Sequence, residues 1–480
     1  MNTTAPTAPA DRLRFYRAVW RWHFYAGLFV LPFIAWLALT GAVYLYQKPI
    51  DRLVHAELKV VEPVTTQKAA PSADIAAVQA VTEGDVFRYT TPERADGSVE
   101  IGVIEKDGRR QVYYVDPGTS RVLGHLPEKG TFSGVVRRLH SLDLLGRYAS
   151  ALIEIAAGWA ILLVATGVYL WWPRGQRGGV TTVRGQPGQR LFWRDLHAVT
   201  GVWVGLVLLF LAVTGMPWSV VWGEQVNAWA NGHDYGYPAG VRVDVPMSQQ
   251  RLADTTTPTW SMQQAHLPVS DASHARHAAT PGHDGHDGHE GHAGHGGSAS
   301  GELSPQPDAI GIDAAIHAFE RLGLARGYSV SLPRGPMGVY TASVYPEALD
   351  QQRVVHLDQY SGNVLLDMTY ADYGLLGRGL EWGINVHLGQ EYGTANRLFL
   401  LIACLAIVLL CVSGAVMWWK RRPSGGLGVP PLPQEGRSVA GVFALLCIGG
   451  LIFPLVGASL LLVGLLDFLA TRGWHTRPAS

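Results

Sequence analysis

Apolar and polar positions along the chain fall into long blocks. Five stretches are almost continuously apolar: Phe24 to Tyr46, Ala149 to Trp172, Ala198 to Trp222, Leu398 to Trp419 and Val439 to Leu466. Crossing a bilayer takes about 20 such residues, so the pattern predicts five transmembrane helices. Pro32 and Pro454 lie inside two of them, which membrane helices tolerate far better than soluble ones. The first stretch is too long for the apolar part of a signal peptide and reads as a retained anchor. Two polar regions separate the spans, and in each a helical segment precedes apolar residues that alternate around polar turns, the hairpin pattern. The first runs from Asp74 to Leu126 and the second from Ile310 to Asp367. The expected fold is an α-helical integral membrane protein with two α+β modules outside the bilayer.

Charge orients these blocks. The formal net charge is zero, which gives no footing for nucleic acid. The arginines cluster instead. Arg12, Arg14, Arg17 and Arg21 precede the first span; Arg174, Arg177, Arg184, Arg190 and Arg194 join spans two and three; Lys420, Arg421, Arg422 and Arg437 join spans four and five. The positive-inside rule places these short segments in the cytoplasm, both large regions outside it, and the tail after Leu466 outside as well. Of the cysteines, Cys404 and Cys411 lie in span four and Cys447 in span five, so the outer regions hold no disulfide framework.

The chain also repeats itself. His197, Gly201 and Thr214-Gly215 follow His23, Gly27 and Thr40-Gly41 at a constant separation of 174 residues. His387, Gly393, Gly414 and Trp418-Trp419 follow His140, Gly146, Gly167 and Trp171-Trp172 at 247. Two copies of one unit therefore make up the first four spans, and the fifth is unpaired. Between the outer modules, a stretch from about His266 to Ser300 is rich in Gly, Ala and His and cannot build a core, so it reads as a disordered tether. Its His283, His286, His289, His292 and His295, with Asp284, Asp287 and Glu290 nearby, suit loose capture of a transition metal.

Topology sorts the repeated histidines into two levels. His23 and His197 open spans leaving the cytoplasm, and His140 and His387 precede spans entering from outside. Each level holds one histidine from each copy, which is what two bis-histidine haem groups require. The competing reading is an interfacial histidine that only anchors a helix end. Gly27, Gly201, Gly167 and Gly414 would let a helix or a flat macrocycle come close. Glu154, inside span two, either relays a proton, pairs with a donor, or sits at headgroup level. The paired tryptophans read as an aromatic belt.

Several of these segments resemble the PepSY-associated transmembrane family of bacterial inner-membrane proteins: Arg21-Trp22-His23-Phe24-Tyr25-Ala26-Gly27, Asp195-Leu196-His197-Ala198-Val199-Thr200-Gly201, Asn385-Val386-His387-Leu388-Gly389, Thr214-Gly215-Met216-Pro217-Trp218 and Met417-Trp418-Trp419-Lys420-Arg421-Arg422-Pro423. The resemblance implies PepSY domains at residues 48–130 and 308–368, two b-type haems on His23, His140, His197 and His387, and reduction of ferric siderophores or other metal ions in the periplasm. The implied layout is a cytoplasmic N-terminus and first span (1–47), spans two and three (131–222), an outer region (223–386), span four (387–437) and span five with its tail (438–480). The chain has no Gly-x-Gly-x-x-Gly strand–helix unit, so a quinol or a cytoplasmic reductase must donate the electrons. The alternatives are a non-enzymatic metal-binding or transport protein, and a regulator that binds a periplasmic partner.

Overall fold

The computed structural model describes residues 8–63, 68–173, 178–233, 235–236, 245–256, 258–271, 306, 308–423, 444, 446–462 and 465. In chain order the helices are α1 (Ala8–Tyr44), α2 (Gln47–Val54), α3 (Ala56–Lys59), α4 (Pro71–Gln79), α5 (Phe132–His140), α6 (Arg147–Trp171), α7 (Arg190–Gly215), α8 (Trp222–Gly232), α9 (Gly311–Arg321), α10 (Leu375–His387) and α11 (Gly393–Arg421). The strands are β1 (Asp85–Thr90), β2 (Val99–Ile104), β3 (Arg110–Val115), β4 (Val122–Pro127), β5 (Met247–Arg251), β6 (His266–Pro268), β7 (Ser329–Ser331), β8 (Val339–Val344), β9 (Arg353–Asp358) and β10 (Val364–Thr369). They form two compact units, one of residues 1–46, 135–226 and 383–480, the other of residues 47–134 and 227–382.

The first unit is a helical bundle. Four helices, α1, α6, α7 and α11, are long and apolar enough to cross a membrane among the described residues. α1 and α7 each pack against both α6 and α11, so the four close into a ring with α1 diagonal to α7. α1 buries Ala26, Val30, Ile34 and Ala38, a four-residue recurrence that makes one stripe along the helix.

The fifth apolar stretch corrects the sequence reading. Residues 446–452 and 454–462 are helical, but the chain reverses at Phe453-Pro454. A Cβ placed on Gly450 would lie 2.8 Å from the Cα of Gly457. Along one continuous helix those residues would stand about 10 Å apart. Pro454 has no N–H to continue the ladder, and two glycines let the arms touch. Among the described residues, neither arm reaches the roughly 20 residues a crossing needs. The hairpin packs on α6, where Val456 and Phe453 meet Gly158 and the indole of Trp159 donates to Ser459 at 3.0 Å. The tail after Leu466 lies outside the described residues, and a reversal removes the reason for placing it on the outer side.

The second unit is built on one antiparallel sheet of order β10-β9-β8-β7-β1-β2-β3-β4. Each half is a helix followed by a four-strand meander, and Asp116 and Asp358 cap equivalent turns by accepting backbone N–H groups of Gly118 at 2.9 Å and of Ser361 at 2.7 Å. The sequence reading has two separate modules; the structure joins them. Edge strands β1 and β7 pair with Tyr89 opposite Val330, which satisfies the backbone groups that each half would otherwise expose. One face packs on α4 and α9 in a shared core that includes Val78, Ile101, Phe319 and Leu357. On the other face, Leu252, Met262 and Leu267 cover β8 to β10, and Leu58 covers Val112 and Tyr114. β6 begins at His266 and the Asp271 N–H donates to Asp358 at 2.7 Å, so residues 266–271 of the stretch read as a tether belong to the folded sheet unit.

Candidate functional site

The four repeated histidines lie in the helical unit, and one local arrangement recurs at each. The Nδ1 of His23 meets Thr166 Oγ1 at 2.9 Å, that of His140 meets Thr40 Oγ1 at 2.9 Å, and that of His387 meets Thr214 Oγ1 at 2.8 Å. His197 Nδ1 meets the Leu410 carbonyl at 3.1 Å and Ser413 Oγ at 3.3 Å. The next residue in each of those helices is glycine. Cβ atoms built on Gly167, Gly41, Gly215 and Gly414 would stand 3.3, 3.5, 3.6 and 3.4 Å from Cε1 of His23, His140, His387 and His197. A hydroxyl followed by a glycine is thus the seat of every one of these rings.

The hydrogen bonds assign the tautomer. Thr166, Thr40 and Thr214 donate their own protons to Leu162, Trp36 and Phe210 carbonyls one turn back, at 2.9, 2.7 and 2.7 Å. With that proton committed, each hydroxyl is left to accept, so the imidazole donates from Nδ1. A carbonyl can only accept, which fixes His197 in the same way. All four rings therefore carry their proton on Nδ1 and present an unprotonated Nε2. Among the described residues no Nε2 of the four has a hydrogen-bond partner. A neutral imidazole whose Nδ1–H is held by a neighbour is the form in which histidine binds a metal.

The bundle brings these nitrogens together in pairs. His23 on α1 and His197 on the diagonal helix α7 are close enough for their charges to interact, and so are His140 and His387 at the other end. Each pair combines one histidine from each sequence repeat. Gly27, one turn beyond His23, faces open space, with nothing within 4 Å of a Cβ built there, whereas Gly201 packs on Leu410. Two pairs of free imidazole nitrogens could each hold a metal centre, one near each end of the bundle.

The other candidates fare differently. Glu154 is buried and accepts from the backbone N–H of Val221 at 2.8 Å and Trp222 at 3.1 Å. Its carboxylate pairs with the open amides where α8 begins, which offsets its burial inside α6. His283, His286, His289, His292 and His295 lie outside the described residues. Among the described residues no three His, Cys, Asp or Glu side chains gather as a metal site.

Sequence reasoning passed over the hydroxyl partners Thr40, Thr166, Thr214 and Ser413. Their signal was present, since each span carries a Thr-Gly or Ser-Gly dipeptide at the level of a histidine from another helix. It also passed over Glu381 of α10, buried in the sheet unit, which accepts from Ser261 N–H at 2.8 Å and whose carboxyl burial pushes above its usual range. The match of a family model supplies the last observation: residues 20–421 fit the family described as the PepSY-associated TM region. A search of the curated proteins finds no match.

Proposed function

The chain belongs to the PepSY-associated TM region family, and on that premise we propose that it is a haem-dependent oxidoreductase carrying electrons across the bacterial inner membrane. One observation carries this reading. In both pairs the Nδ1 atoms are engaged and the Nε2 atoms are free, so the donor set fits two bis-histidine haems of b type. His23 and His197 would hold one group and His140 and His387 the other. When bound, haem would supply reversible one-electron chemistry. The protein's part is to fix four ring orientations through Thr166, Ser413, Thr40 and Thr214, and to keep each ring neutral and ready to ligate. Gly167, Gly414, Gly41 and Gly215 let the rings lie close against the helix backbones; a Cβ at Gly167 would already crowd His23 at 3.3 Å, and one at the other three would fill the contact.

By the positive-inside rule, the basic connections Arg174 to Arg194 and Lys420 to Arg422 favour a cytoplasmic face for the His23–His197 level. On that reading the sheet unit would face the periplasm, where the acceptor would be a ferric chelate, such as a siderophore complex, or another metal ion. Reduction releases the metal because hard oxygen chelators hold Fe³⁺ far more tightly than Fe²⁺. A quinol or a separate cytoplasmic reductase would donate the electrons. The test is spectroscopic and kinetic. Purified protein should be red, with two haems per chain, and dithionite-reduced protein should reoxidise on mixing with a ferric chelate. A colourless protein reconstituted with haem to no effect would end this reading.

A further inference from the structure

The sheet unit holds a second constellation, unrelated to the histidines. β1 pairs with β2 through Val86–Val103 and then Arg88–Gly102, leaving Phe87 as an extra residue in a β-bulge. A bulge re-aims side chains, and strand bulges concentrate beside functional sites. The Phe87 ring lies over Gly102, where any Cβ would come within 2.7 Å of it. Two guanidiniums flank that ring, Arg88 at 5.2 Å and Arg110 at 5.0 Å from its centroid. Glu128 serves both, at 3.2 Å from Arg88 and 3.7 Å from Arg110.

A third cation joins them without a counter-charge. Arg334 sits on the loop between β7 and β8, which Leu332 ties to β1 by donating to the Phe87 carbonyl at 3.0 Å. The Arg334 side chain is half-buried and makes no ion pair or hydrogen bond among the described residues. Burial, and then repulsion from Arg110, lowers its guanidinium below the usual range. The loop is nevertheless held rigidly. Gln359 Nε2 donates to the Gly335 and Pro336 carbonyls at 3.0 and 2.8 Å, and Tyr360 donates to Pro336 at 2.7 Å. Ser270 adds a backbone bond to Met337 at 3.1 Å and a hydroxyl bond to Gly338 at 2.5 Å. These bonds hold a half-buried cation near Arg110 with no counter-charge of its own, a placement that costs stability until an anion arrives.

We propose that Arg88 and Arg110, stacked on the buried Phe87 ring, and Arg334 on the adjoining loop form a binding site for a small polycarboxylate anion. Three arginines against one glutamate leave a double positive charge. Guanidinium forks pair with carboxylates in a planar, two-bond geometry. The forks stand on two strands and a loop, a spread that suits carboxylates distributed along a carbon skeleton better than one compact phosphate. The site stands independently of the haem reading.

The experiment uses the full chain in detergent with citrate, ferric citrate and inorganic phosphate as probes, titrated calorimetrically. Citrate should bind, more weakly as salt is raised. Arg334→Gln and Arg110→Gln should each weaken it about tenfold or more, a factor that corresponds to one charge-assisted pair. Arg326→Gln, at an exposed arginine elsewhere in the unit, should leave it unchanged. Without ligand, Arg334→Gln should unfold at a higher temperature than the parent, because an unpaired charge has been removed. Absence of citrate and ferric citrate binding would overturn the proposal. So would binding that both variants retain, or phosphate binding in place of citrate. Haem absorbance recorded on the same samples after reconstitution separates the two readings: citrate bound by a protein that takes up no haem upholds this site and refutes the other.

Discussion

His23 donates from Nδ1 to Thr166 Oγ1 at 2.9 Å, while Thr166 donates to the Leu162 carbonyl at 2.9 Å. A hydroxyl used in both directions orders the chain of donors, and the order reaches across two helices to decide which imidazole nitrogen is free. Replacing Thr166 by Val keeps the shape and removes the acceptor. The Nδ1–H is then unpaired or the ring turns, and haem affinity at that level should fall about 10–100-fold, the usual range for such supporting partners. Thr166→Ser should restore it. Haem titration of the stripped variants reads this out, and equal affinities for Thr, Ser and Val would show that the hydroxyl has no orienting role.

The pairing of levels makes a sharper demand. His23→Ala and His197→Ala should each cost the same one haem, and His140→Ala or His387→Ala should each cost the other. Combining His23→Ala with His197→Ala should lose no more haem than either alone. Quantifying haem per chain, with the potential of the survivor, decides it. Loss of both haems in every single variant, with the fold intact, would break the division into two levels.

Glu154 has a structural duty. Glu154→Ala strips the acceptor from the Val221 and Trp222 amides, where a buried donor left without a partner costs about 1–3 kcal/mol. Hydrogen exchange at the start of α8 should quicken while haem content holds. If Glu154→Ala instead leaves exchange alone and slows reduction, a proton-relay role is the better account.

His356 is fully buried in the sheet unit, its Nδ1 at 2.8 Å from Thr341 Oγ1 and its Nε2 without a partner. Burial pushes its pKa down to about 3. The unfolded chain therefore binds a proton at a pH where the folded one does not. Stability is complete above the ordinary histidine range near 6.5 and drains as pH falls toward 3, by up to about 1.4 kcal/mol per unit. Thermal unfolding against pH should show His356→Leu losing less stability on acidification than the parent. Parallel curves would refute the assignment.

Deleting residues 283–295 should leave the haem spectrum intact, because the four proposed ligands His23, His140, His197 and His387 all lie outside that segment. Reduction at low metal concentration should slow, since a tethered imidazole cluster raises the local metal concentration. Measuring rate against metal concentration tests this; a curve identical to the parent's would reduce the segment to a passive connection.

The sequence by itself determined the four spans, the two-fold repetition and the four histidines. Those features are local: an apolar run registers in its own composition, and a residue spacing survives whatever the spans pack against. What it left open was every relationship that needs to know which segment meets which. The acceptors of the histidines come from helices a hundred residues away or more, so Thr40, Thr166, Thr214 and Ser413 gained meaning only when the ring of α1, α6, α7 and α11 closed. The same holds for β1 against β7 and for Arg334 beside Arg110. Composition also misread Val439 to Leu466, because hydropathy sums over residues and does not see a chain reverse. Proline and two glycines allowed that turn, but packing against Gly158 and Trp159 selected it. Local chemistry set what each segment could become, and the free energy of burying one segment against another chose among the possibilities.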